Sequence, residues 1–157
     1  AHRPDRRRRP AVGIGASLAI AADLLYATEN SYVLLAFINI GLMPDGGASM
    51  SVASAVGRVR ANAMTLLGDK LRAPEALAAG LLTGVVADRA ALDAAVDKAA
   101  GKIASRSTAA MRLTKAALDA ETMSGYEAAI ERELSGQTEL LQSDEFQAAL
   151  AAFTGKR

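Results

Sequence analysis

A chain of 157 residues with 51% hydrophobic content and a formal net charge of +1 can bury one domain's core and has no strong overall field for a polyanion. It contains no cysteine and one histidine, His2, which excludes disulfides, cysteine-zinc sites, thiol catalysis, a histidine-based triad and a multi-histidine metal site. No apolar run is long and uninterrupted enough to span a bilayer, so no membrane partner is expected.

Residues 1–10, AHRPDRRRRP, form a basic, apolar-poor run with four consecutive arginines. Pairing with phosphates is one reading of such a run. It has no aromatic interleaving and no apolar core of a secretion signal, so a solvated, disordered arm without a nucleic-acid partner is expected.

The stretch from Ala11 to Ser49 organises the rest. Gly13-Ile14-Gly15 leads into an apolar run, Leu18 to Tyr26, whose spacing predicts a helix interrupted only by Asp23. Glycines there free the backbone to turn sharply and present its N–H groups where a helix begins. That arrangement is either a tight turn or a donor site for a developing negative charge. The apolar run Val33 to Ile40 predicts a strand. It is followed by Gly41-Leu42-Met43-Pro44-Asp45-Gly46-Gly47-Ala48, which sets one carboxylate between a proline and two glycines. Asp45 reads there as a turn residue, a helix cap or a reactive group.

Met50 to Leu67 carries helical spacing broken at Gly57, with Arg58, Arg60 and Asn62 off the apolar face. Pro74 suits a first helical turn and Gly80 a helix end, releasing the chain into a short apolar strand, Leu81 to Val86. Beyond Asp88 the pattern is helical throughout: Ala90 to Ala104, Thr108 to Ala120, a helix opened by a Ser124–Glu127 capping box and running to Leu141, and Ser143 to Phe153.

Read together, AVGIGASLAIAADLLYA and IGLMPDGG resemble the crotonase, or enoyl-CoA hydratase/isomerase, superfamily. The segment GDKLRAPEALAAGL and the ending SDEFQAALAAFTGKR are similar to two further signatures of that family. The resemblance runs from about Ala11 to the end and does not include the family's N-terminal half. It implies a truncated crotonase-type α/β fold, with a few short strands followed by a mostly helical C-terminal region. Three segments follow: the arm, a partial core over 11–87, and a helical oligomerisation region over 88–157. Without its N-terminal strands such a core should leave a sheet edge and apolar surface uncovered.

The resemblance also implies the chemistry. The substrate class is an acyl-CoA thioester, so coenzyme A arrives with the substrate and no separate cofactor or metal is expected. The enolate formed at the thioester carbonyl is stabilised by two backbone N–H groups, of which the Ile14 N–H, between Gly13 and Gly15, matches one. Hydratases of the family carry two glutamates where this chain has Ser17 and Phe37, so a two-glutamate hydratase mechanism is not expected. Isomerase-type members place an acid in the second loop, where Asp45 stands, and Asp45 is the expected base. Gly13, Gly15 and Gly46 are expected to bind substrate. Phe37, Leu34, Leu35 and Met43 read as an acyl pocket or as plain core. Phe153 and Lys156 are expected near the nucleotide of coenzyme A, with a solvated charge at a frayed terminus as the other reading of Lys156. Lys115 is similar to a family lysine or is a solvated helix charge. A cytoplasmic homotrimer or hexamer is implied. The alternative reading is a catalytically inactive fragment or scaffold subunit that needs a separate N-terminal half.

Overall fold

The computed structural model describes residues 11–155. The arm and Lys156 lie outside that range.

The chain enters at β1 (Ala11–Val12), which pairs in parallel with β3 (Tyr32–Leu34); β3 pairs on its other side with β4 (Leu71–Arg72), antiparallel. A second, two-stranded parallel sheet joins β2 (Tyr26–Thr28) to β5 (Gly84–Val86), in register Ala27 to Val85. Among the described residues β1 is therefore an edge strand. The resemblance implies a few short strands, and among the described residues five form.

Helix α1 (Ile14–Ile20) begins directly at the glycine turn, earlier than the expected run from Leu18 to Tyr26. Gly13 has φ 56°, open to glycine and strained for other residues, which lets the chain leave β1 and start a helix within one residue. The helix ends at Ile20 because Tyr26 is drawn into β2, where it pairs with Gly84. The expected strand Val33 to Ile40 is shortened as well. Only its start pairs as β3, and Ala36–Ile40 winds into a 3-10 turn that buries Phe37 and ends at Gly41, φ 72°.

Helices α2 (Ala48–Val56) and α3 (Arg58–Leu66) flank Gly57 as the sequence predicts. Helix α4 (Ala73–Ala78) carries Pro74 in its first turn, and Glu75 reaches back to the Arg72 N–H at 3.1 Å. Four longer helices follow: α5 (Arg89–Ala104), α6 (Thr108–Thr122), α7 (Tyr126–Leu140) and α8 (Asp144–Thr154). Asp88, Ser107 and Ser143 cap α5, α6 and α8 with their side chains. The expected Ser124–Glu127 capping box does not form. A turn from the Tyr126 N–H to the Met123 carbonyl, 3.0 Å, makes Gly125 the cap position and starts α7 beyond Ser124.

The core centres on Leu35, Val52 and Met64, with Ala16, Ala48, Ala73 and Ala76 letting helices approach closely. None of the residues of α5 or α6 is buried, although Leu113 and Leu118 on α6 are each 59% exposed. Among the described residues no helix is long and apolar enough to cross a membrane.

Candidate active site

Two loops meet at Gly46, and a distant helix holds one of them. The first is the turn Gly13-Ile14-Gly15. The Gly13 N–H extends the parallel ladder to the Leu34 carbonyl at 2.9 Å, while the N–H groups of Ala16 and Ser17 return to the Gly13 carbonyl. The N–H groups of Ile14 and Gly15 have no acceptor among the described residues, as expected for the first residues of a helix. They are oriented donors at the positive end of α1. Ser17, one turn along, is fully buried and its Oγ has no hydrogen-bond partner among the described residues.

The second loop runs from Met43 to Gly47 and opens α2. Gly46 is where the loops touch: a Cβ there would lie 2.8 Å from Ile14 Cδ1 and 3.2 Å from Ser17 Cβ. A side chain at 46 would displace the end of the Ile14 side chain and press on Ser17 Cβ, and φ 68° there is strained for any residue but glycine. Asp45, the preceding residue, is half-buried.

Helix α7 grips this loop along one face. The Tyr126 ring covers Gly47 so closely that no Cβ fits there, and Ala129 is fully buried. Glu133, 2% exposed, accepts the Gly47 N–H on Oε2 at 2.7 Å and the Ser49 N–H on Oε1 at 2.8 Å. It thereby supplies the N-terminal cap of α2 that Gly47, lacking a side chain, does not supply. Gly136 leaves room for the Met43 thioether, and Gln137 Nε2 donates to Asp45 Oδ2 at 2.9 Å. Asp45 Oδ1 and Gln137 Oε1 are buried without partners among the described residues.

Sequence reasoning passes over Glu133 and Gln137. The available signal is their spacing: four residues apart, on the stripe shared by Ala129 and Leu140, they stand where a helix facing a core is ordinarily apolar.

The other expected site residues divide. Met43 lines a cavity of about 730 Å³ with Leu42, Pro44, Val52, Leu66 and Arg58. Gly13, Ile14, Gly15, Asp45 and Gly46 are not among its lining residues. Phe37, 7% exposed, is packed in the core rather than on that wall. Phe153 is 68% exposed on α8. Lys115 donates to Asp23 at 2.6 Å and also pairs with Asp119, tying α6 to the turn after α1. Those hydrogen bonds, Asp23 first, hold its ammonium above the ordinary lysine value.

The sequence and the fold are shared with known proteins. Residues 10–157 match the family model described as enoyl-CoA hydratase/isomerase. A probable enoyl-CoA hydratase of Rhodobacter capsulatus is 35% identical over 153 residues, covering 94% of this chain and 57% of that protein. The 1,2-epoxyphenylacetyl-CoA isomerase of Escherichia coli is 30% identical over 147 residues, covering 94% and 56% respectively. Among solved structures, an enoyl-CoA hydratase from Mycobacterium avium subsp. paratuberculosis superposes with a TM-score of 0.90 at 45% identity, covering 94% of this chain and 61% of that one. The chain thus spans a little over half the length of the curated relatives it matches, at 57% and 56%.

Proposed function

This chain belongs to the enoyl-CoA hydratase/isomerase family, and from that premise we propose that it acts on an acyl-CoA thioester as a double-bond isomerase, with Asp45 as the base and the Ile14 N–H as an enolate donor. One observation carries the choice of isomerase over hydratase. The two positions at which the resemblance expects glutamates hold Ser17 and Phe37, both buried and neither able to move a proton near neutral pH. Asp45 is the carboxylate of the loop that touches the donor turn, through its neighbour Gly46.

In this reading Asp45 takes a proton from the carbon beside the thioester carbonyl of a 3-enoyl chain. The electron pair moves onto the carbonyl oxygen, which faces the Ile14 N–H, and the same carboxyl returns the proton at the far end of the shifted double bond. Nothing is added or lost. The apolar wall of Met43, Leu42 and Val52 suits an acyl chain. Residues 88–157 serve assembly into a homotrimer or hexamer, a reading supported by α5 and α6, neither of which buries a residue within the chain.

The second reading, an inactive scaffold subunit, draws on a specific observation: the described residues provide one donor turn, with Ile14 half exposed, where the family's chemistry needs two donors. A thermal melt followed by circular dichroism, with and without saturating medium-chain enoyl-CoA, separates the two. A cooperative transition that rises with ligand supports the enzyme. An unmoved transition supports the scaffold.

A further inference from the structure

We propose that α7 is the positioning element of this site: Gln137 holds Asp45 Oδ2 so that Oδ1 is the oxygen that takes and returns the proton, and Glu133 fixes the loop that carries it. The inference rests on the isomerase reading above and assigns it two further residues.

Asp45 stands between Pro44 and two positive-φ glycines, Gly46 at 68° and Gly47 at 80°. A carboxylate on such a loop has no local reason to keep one orientation. Two contacts from α7, one helical turn apart, supply that reason. Glu133 accepts two N–H groups, at Gly47 and Ser49, so the loop's exit into α2 is fixed at both ends of one side chain. Gln137 then fixes the carboxylate itself. An ionised carboxylate only accepts, so the amide must present its NH₂ to Oδ2. That leaves Oδ1 as a buried acceptor without a partner among the described residues.

A buried acceptor is ordinarily satisfied, and one left open on the loop whose Gly46 touches the donor turn is a place for a proton to arrive. Ser17 Oγ, also buried and without a partner among the described residues, would lie 3.9 Å from a Cβ placed at the neighbouring Gly46. The step balances: the C–H pair becomes the enolate's electrons, the proton resides on Oδ1, and it leaves Oδ1 for the distal carbon. Gln137 and Glu133 touch neither the substrate nor the proton.

The test uses the full chain. Gln137→Leu is expected to lower kcat for 3-enoyl-CoA isomerisation roughly ten- to a hundredfold while KM changes by less than about twofold. The ¹³C carboxyl resonance of Asp45 is expected to move in the same variant. Glu133→Gln is expected to speed deuterium exchange at the Gly47 and Ser49 amides about tenfold, with the melt still cooperative. Should that variant not fold, Glu133→Asp, which keeps the charge and shortens the reach, carries the same exchange measurement. If Asp45→Asn inactivates the chain but Gln137→Leu keeps full kcat, the positioning role is overturned and the isomerase reading stands. If Asp45→Asn keeps full activity, the isomerase reading falls and takes the proton assignment with it. In a chain without turnover, an unmoved Asp45 resonance together with unmoved exchange overturns the proposal.

Discussion

Glu133 accepts the Gly47 N–H at 2.7 Å across 86 residues of sequence. A side chain from α7 thereby caps α2, and the second glycine loop takes its shape from a helix folded onto it.

Removing that cap leaves two N–H groups at the start of α2 without an acceptor. Glu133→Ala is expected to destabilise the chain by about 3 kcal/mol, and Glu133→Gln by roughly half as much, because the amide retains one acceptor. Urea unfolding monitored by circular dichroism measures both. A midpoint equal to that of the wild type would remove Glu133 from the account.

Gly47 combines φ 80° with the Tyr126 ring at its Cα. Gly47→Ala is expected to cost about 2 kcal/mol or more, part from backbone strain and part from the ring. Adding Tyr126→Ala should recover the steric part, so the double variant loses less than the sum of the singles. Strict additivity would show that the ring does not constrain this glycine.

Restoring a hydratase carboxylate at position 37 should fail. Phe37 is 7% exposed in the core, and Phe37→Glu places an unpaired charge there at a cost of about 3–5 kcal/mol. The expected result is loss of the cooperative melt and no water addition to a 2-enoyl-CoA. A folded Phe37→Glu chain with hydratase activity would contradict the packing described for this side chain.

The Lys115 ammonium is held above the ordinary lysine value, so the tie between α6 and the turn after α1 is fully present below about 10.5 and lost as pH rises through the folded-state value. Asp23→Asn should lower the Lys115 midpoint more than Asp119→Asn, since the Asp23 hydrogen bond is the larger cause. Titration of the labelled Nζ by ¹⁵N resonance reads this directly. Equal shifts, or a larger one from Asp119→Asn, would reverse the assignment.

Sedimentation tests the assembly reading. The chain is expected to sediment as a trimer or larger, and Leu113→Asp with Leu118→Asp, both at exposed positions of α6, should shift it toward monomer without altering its helical signal. A wild-type monomer at high concentration would leave α6 without a role in assembly.

Much of the order of elements was legible because local chemistry sets it. Gly57 separates α2 from α3, Pro74 opens α4, and Asp88, Ser107 and Ser143 cap their helices where side chain and backbone are three residues apart. Signals failed where a distant partner competed with local preference. Tyr26 left a helical run to pair with Gly84, the apolar run to Ile40 wound up once β3 had its two neighbours, and α7 began beyond its apparent capping box.

By itself, then, the sequence determined the family signatures, the two glycine turns and the presence of Asp45 in the second, since these depend on residue types at short spacing. Tertiary structure decided what surrounds them. Gly46 against Ile14, Glu133 on Gly47 and Ser49, and Gln137 on Asp45 join residues 32 to 92 positions apart. Contacts of that range form only once the helices pack, when burial leaves each polar group to find the partner that the folded chain brings within reach.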